Sequence, residues 1–261
     1  MNKSEMLNFL DNKFRNCNPE FLKLSQVYFE DSDENSFRDF IKQIAITIGA
    51  DWVNNGCSKS VFHFKEFDNY VFKIPYIGYF YIVDEDTQYF KECAEQERVP
   101  TYFCFDDVAL YKNANNDGAY PVDANDYCAV EEYIYRIARK YNVNQMFTKT
   151  AFLGFVCGIP VYVSSCADKE YSPKKQSNET SKIAKDMIDK SRKEHKDSYS
   201  ELYTTECGVL IETYGRKATQ RLIDFIYKEK ISDLHIGNYG YDALGNLKII
   251  DYSGFHDLDV F

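Results

Sequence analysis

The stretch from Ile231 to Gly254 constrains this chain more than any other. It reads Asp233-Leu-His-Ile-Gly-Asn238, then Tyr-Gly-Tyr-Asp-Ala-Leu-Gly245, then Asn-Leu-Lys-Ile-Ile-Asp251-Tyr-Ser-Gly254. Gly240 to Gly245 is a turn-forming run between two short strands, so a hairpin there returns Asn238 and Asp251 to the same end. Carboxylate and amide oxygens at one hairpin end suit a hard cation such as Mg²⁺, which takes one or two protein ligands alongside phosphate oxygens. Asp233, five residues before Asn238, stands where it can accept or orient a hydroxyl proton.

Upstream, the pattern changes character several times. Leu7, Phe9, Leu10 and Phe14, then Phe37, Phe40, Ile41, Ile44 and Ile48, recur at helical spacing and predict two helices within residues 3–48, divided by the acidic run from Asp31. Asn54-Asn-Gly56 is a turn signal. Val61-Phe-His-Phe-Lys and Tyr70-Val-Phe-Lys-Ile-Pro75 then read as two strands of a hairpin turning at Asp68-Asn69. Residues 76–124 read as an insertion. From Asn125 to Asn142, Val130, Ile134, Ile137, Ala138 and Tyr141 form one stripe of a helix. Ala151-Phe-Leu-Gly-Phe-Val and Ile159-Pro-Val-Tyr-Val predict a second hairpin through Cys157-Gly158. Residues 168–200, rich in Lys and Ser, read as an exposed linker or helical insertion, and Arg216–Lys230 as a helix.

Asp-Leu-His-Ile-Gly-Asn followed by Ile250-Asp-Tyr-Ser-Gly254 resembles the catalytic loop and magnesium motif of the protein-kinase-like superfamily. Its wording is similar to the aminoglycoside- and choline-kinase branch and to kinase-like proteins of bacteria and phages. The resemblance covers about 54–75 and 125–255, and its order of parts is loop, lysine, acidic helix, hairpin, catalytic loop and magnesium motif. It implies an α+β, two-lobed kinase-like fold with an antiparallel sheet in the N-lobe and a reduced, mostly helical C-lobe. The implied division is 1–50 as a helical extension, 51–167 as N-lobe and 168–261 as C-lobe.

The same resemblance assigns roles. Asp233 is implied as catalytic base, Asn238 and Asp251 as magnesium ligands, and Lys73 as the phosphate-binding lysine. Gly56 and Ser58 fall where the family keeps its phosphate loop. Glu131 is the acid implied to pair with Lys73, with Glu132 second. Ser165 and Ala167 follow the strand that leads to the adenine-binding hinge. The implied cofactors are ATP and Mg²⁺, with an unidentified small-molecule or protein hydroxyl as acceptor. Ile231-Ser232 replaces the His-Arg or His-Gly usual before the Asp, and the chain ends at Phe261. These departures carry an alternative, a pseudokinase that binds nucleotide or a protein without transferring phosphate. A fold-mate that transfers AMP is a third reading.

Composition limits the partners. A formal net charge of −10 is unsuited to nucleic acid, whose binding runs on Lys and Arg neutralising phosphates. The N-terminus lacks the apolar run of a signal peptide, and no window approaches the length of a membrane span. The eight Cys include no CxxC pair, and no His stands at ligand spacing from them, so they read as reduced thiols of a cytoplasmic protein. His235 reads as structural, for want of a second ligand at suitable spacing.

Overall fold

In the computed structural model the described residues are 3–17, 45–55, 59–75, 127–156, 159–167, 169–170, 172, 176–196, 200 and 202–252. Gly56, Ser58, the 76–124 insertion and most of the expected second N-terminal helix lie outside them. The described chain is a mixed α+β structure whose residues group into two units, described in turn. The first comprises 1–132, 150–165 and 261, and the second comprises 133–149 and 166–260.

The first unit is built on a five-stranded antiparallel sheet of β1 (Trp52–Asn55), β2 (Lys59–His63), β3 (Tyr70–Pro75), β4 (Thr150–Val156) and β5 (Ile159–Ser165), in the order β1-β2-β3-β5-β4. Alternation along the strands divides it into two faces. Phe62 is registered with Phe72, and their rings stack at 5.7 Å. Phe64 and Phe67 add edge-on contacts to Phe72, so one face is an aromatic core. Helix α1 (Lys3–Cys17) covers it, with Met6, Leu10 and Phe14 buried four residues apart and Phe9 edge-on to Phe64 and Phe67. On the other face, Val61 is registered with Lys73 and Lys73 with Tyr162. There Cys128 and Ala129, at the start of helix α2 (Tyr127–Lys140), pack on Tyr162.

One expectation for this unit is corrected. Asn54 and Asn55 are not in a turn; they pair with Val61 and Ser60 as the end of β1. The ladder bonds of an antiparallel pair outweigh the poor strand propensity of Asn.

In the second unit, α3 (Asn178–Glu194), α4 (Thr204–Tyr214) and α5 (Arg216–Lys228) pack together, beside a three-stranded antiparallel sheet of β6 (Lys169–Glu170), β7 (Tyr239–Tyr241) and β8 (Leu247–Ile249). The region read as an exposed linker or helical insertion contains α3, a helix as the second alternative has it, but one with a buried face rather than an exposed one. Ala184, Met187, Ile188 and Ser191 are buried at spacings of three, one and three, and Ser177 caps the start by accepting from Thr180 N–H at 3.1 Å.

The expected division at 167/168 is also shifted, because 133–149 groups with the second unit. After α2 the chain buries Val143, Met146 and Phe147. Phe147 meets Tyr252 at 4.9 Å and Phe225 at 6.0 Å, and Thr148 N–H donates to the Ile249 carbonyl at 2.9 Å. Those bonds tie the segment to β8.

Candidate functional site

The charged residues singled out in the sequence fall into two clusters, one in each unit. The first forms around Glu131. Lys73 occupies β3, flanked by β2 and β5, so its side chain emerges from the middle of the sheet. Its ammonium lies 2.5 Å from Glu131 Oε2, joining residues 58 apart in the chain. Glu131 is fully buried and Lys73 is 3% exposed. Thr150, opening β4, holds its hydroxyl 2.7 Å from the same Oε2 and 3.1 Å from Ser164 Oγ. Its single proton goes to the carboxylate, so its oxygen accepts from Ser164. Withdrawing a carboxylate from water is costly unless it is paired, and here Lys73 and Thr150 both donate to Oε2.

Glu132 points elsewhere. Its carboxylate accepts from Phe152 N–H at 3.0 Å and so fastens α2 to β4. The order of the two candidates is therefore as expected, with Glu131 on the lysine and Glu132 on the backbone. One member of the cluster was not anticipated. Lys59, at the start of β2 and equally buried, lies 2.8 Å from Glu131 Oε1. A signal did exist in the sequence. Lys59 and Val61 share a strand face by alternation, and Val61 is in the same hairpin as Lys73.

The second cluster is the loop from Ser232 into β7. Ile231, Ser232 and Leu234 are buried, whereas Asp233 and His235 have about half of their side chains in water, 49% each. The loop closes on itself. Asn238 N–H donates to the His235 carbonyl at 2.9 Å, and His235 Nδ1 accepts from Gly237 N–H at 3.0 Å. Asn238 Nδ2 donates to the Asp233 carbonyl at 2.7 Å, spanning the loop from inside. His235 is thus a turn residue, with its Nε2 3.6 Å from Asp233 Oδ1.

The hairpin then delivers Asp251. Tyr239 is registered with Ile249, and Ile250 N–H donates to the Asn238 carbonyl at 2.9 Å, so Asp251 follows the residue bonded to Asn238. Tyr252 is buried, and its hydroxyl donates to the Thr148 carbonyl at 2.6 Å, which fixes the chain just past Asp251. Gly240 has a steric reason to be glycine. A Cβ there would run into the Ala167 carbonyl. At the hairpin tip Asp242 accepts from Leu244 and Asn246 N–H and lies 3.3 Å from Lys248. Partial burial works against its charge, but the backbone and side-chain bonds from Asn246, then Lys248, outweigh it and hold the carboxyl below its ordinary pKa.

This geometry suits a hard cation. Because Nδ2 of Asn238 is committed to the Asp233 carbonyl, Oδ1 is left as its acceptor atom, and Asp251 adds a carboxylate at the same hairpin end. Among the described residues no three His, Cys, Asp or Glu side chains gather as a metal site, so a cation here would complete its shell with ligand or water oxygens. Of the hinge candidates, Ser165 ends β5 opposite Tyr70, and Ala167 lies against β7. Cys207 is an inert thiol, its pKa pushed up to about 12 by burial and then by Glu206. Among the described residues, no helix is long and apolar enough to cross a membrane. No known family model, curated protein or solved structure matches this chain.

Proposed function

We propose that the chain is an ATP- and magnesium-dependent phosphotransferase of the protein-kinase-like type, acting on a hydroxyl acceptor. The observation that carries this reading is the buried Lys73–Glu131 pair, joining a central strand to a helix across 58 residues. An unpaired lysine on a strand is ordinarily solvated; burying one against a carboxylate makes sense where its ammonium must be held at a fixed point. An antiparallel sheet with the pairing helix between its third and fourth strands supports the two-lobed fold.

In this reading Lys73, steadied by Glu131 and Thr150, binds phosphate oxygens. Asn238 Oδ1 and Asp251 hold magnesium, whose charge neutralises the phosphates when it is bound. Asp233, exposed and held by its own carbonyl to Asn238, orients the acceptor hydroxyl. The acceptor oxygen forms a bond to the γ-phosphorus as the bond to the ADP oxygen breaks, and the hydroxyl proton passes to Asp233. Most of the acceleration comes from positioning and charge neutralisation.

A second reading is a nucleotide-binding module without transfer, in the same cytoplasmic setting. It is favoured by Ile231 and Ser232, both buried, in place of the usual His-Arg or His-Gly. One experiment separates the two. Labelled ATP and magnesium are offered with protein and small-molecule acceptors to the wild type and to Asp233→Ala. Transfer by the wild type and its loss in the variant support the phosphotransferase. Binding of nucleotide with no transfer by either supports the module, and no binding at all removes both.

A further inference from the structure

The turn that His235 makes uses one of its two ring nitrogens. We propose that the other positions the Asp233 carboxylate: His235 Nε2–H holds Oδ1, and Oδ2 is left to meet the acceptor hydroxyl. This rests on the phosphotransferase reading above and adds to it a positioning residue that the reading does not use.

The tautomer follows from the backbone. His235 Nδ1 accepts from Gly237 N–H at 3.0 Å, so in the neutral ring the proton is on Nε2. Nε2 is the nitrogen that stands 3.6 Å from Asp233 Oδ1. A donor therefore faces the carboxylate, whereas the opposite tautomer would set a lone pair against it. The separation is longer than a formed hydrogen bond, as is common at catalytic groups before substrate binds, and a small rotation of either side chain closes it.

Gly237 gives independent support. Its φ is not in the left-handed region, so the backbone there does not call for glycine. A Cβ would instead stand 2.8 Å from His235 Cε1 and 3.1 Å from Nδ1. Cε1 joins the two nitrogens, so the lack of a side chain at 237 is what lets that edge of the ring lie against the loop. Gly237 thus supplies both the N–H that sets the tautomer and the space that sets the ring's position.

If satisfying Gly237 N–H were the whole task, asparagine would serve, because it accepts from the N–H two residues on in an ordinary Asx turn. It has no atom that reaches back to Asp233. Imidazole does both, with a rigid ring that fixes the distance between its acceptor and its donor. Both side chains are 49% exposed, so a carboxylate with no contact there would rotate freely in water. Holding one oxygen reduces that freedom before the acceptor arrives, and phosphoryl transfer depends on such positioning. In the step itself the imidazole keeps its proton. The acceptor's proton goes to Asp233 Oδ2 as the acceptor oxygen bonds to the γ-phosphorus and the ADP oxygen leaves.

The competing view is that His235 only caps the turn, and His235→Asn separates the two, since asparagine keeps the cap and loses the reach. His235→Gln does the reverse, setting an amide N–H where Nε2–H stands. Full-length wild type and both variants are assayed for transfer from labelled magnesium-ATP to protein, small-molecule and water acceptors. Nitrogen NMR of the wild type reads the ring at about pH 8, above the ordinary imidazole range. We expect the Nε2–H tautomer, and a kcat about tenfold or more lower in His235→Asn with the KM for magnesium-ATP and the unfolding midpoint unchanged. His235→Gln should recover part of the kcat. Wild-type kcat in His235→Asn, or an Nδ1–H ring, overturns the proposal and leaves the phosphotransferase reading standing. A loss of kcat in His235→Asn that comes with a lowered midpoint makes His235 framework alone and also overturns it. No transfer by the wild type to any acceptor removes the reading and the proposal together. Should His235→Asn fail to fold, the other two measurements decide: an Nδ1–H ring, or a folded His235→Gln with no more transfer than Asp233→Asn, overturns the proposal.

Discussion

The two charged clusters differ in how they meet water. Around Glu131 every charge is buried; the helix supplies the carboxylate, and its partners Lys59, Lys73 and Thr150 come from three strands. Around Asp233 the charge is half exposed, and the buried member is the neutral amide of Asn238. A buried carboxylate is set in place by the fold and in turn helps hold it. An exposed carboxylate adds little to stability. The stability cost of removing a carboxylate should therefore differ sharply between the two clusters.

The largest effect is expected at Glu131→Ala. Two buried ammonium groups lose their shared carboxylate, and breaking one side of a buried pair costs about 3–5 kcal/mol. Urea unfolding at neutral pH should show that loss. A loss below about 1 kcal/mol, the worth of an exposed pair, would break the comparison by showing that water reaches the lysines. Next is Asn238→Ala, in the other cluster. It removes the bond from Nδ2 to the Asp233 carbonyl and leaves that carbonyl short of a partner, a change of about 1–2 kcal/mol. It should also abolish any shift of the melting temperature on adding magnesium with ATP, while Asn238→Asp keeps an oxygen ligand and part of that shift.

How far these clusters were legible in the sequence follows from the same contrast. Asp233, Asn238 and Asp251 stand close in the chain, and a hairpin with a Gly-rich turn joins the last two by local rules alone. Lys73 with Glu131 was legible only through the order of parts in a family, since no local rule links residues 58 apart. Lys59 was missed because a lysine beside a turn reads as a solvated side chain, and only the register with β3 places it on the buried face. The burial of helix α3, though not its existence, was missed for a related reason. Its buried positions are diluted by Lys, Asp and Ser, and its burial is decided by packing against α4 and α5. Asn54 and Asn55 show the converse, residues of a turn signal that pair with β2 as the end of a strand.

A smaller effect lies at the hairpin tip. Asp242 has a lowered pKa in the folded chain, so its charge stabilises above the unfolded value of about 3.9 and that gain is lost as pH falls through the folded value. Asp242→Asn should therefore lower stability by about 0.5–1 kcal/mol at pH 7, because Asn keeps one acceptor but loses the attraction to Lys248. Thermal melts at stepped pH should show the gap between variant and wild type closing below about pH 4. A gap that persists unchanged in acid would mean that hydrogen bonding alone, without charge, sets the turn.

The smallest change in stability is expected where the functional stake is highest. Asp233→Asn keeps the backbone carbonyl that Asn238 uses, and it replaces a side chain half in water and 3.6 Å from a half-exposed His235. Surface changes of this kind fall within about 0.5 kcal/mol, so the unfolding midpoint should not move measurably. If Asp233 is presented to an acceptor hydroxyl, the same variant should lose phosphoryl transfer by about a hundredfold or more and still bind magnesium-ATP. The pairing of the two readouts carries the weight. A residue whose removal leaves the fold and the nucleotide in place but stops transfer is acting on the acceptor. Stability lost together with transfer would instead make Asp233 a part of the loop's framework, and the contrast between a buried carboxylate that holds the fold and an exposed one that does not would fail.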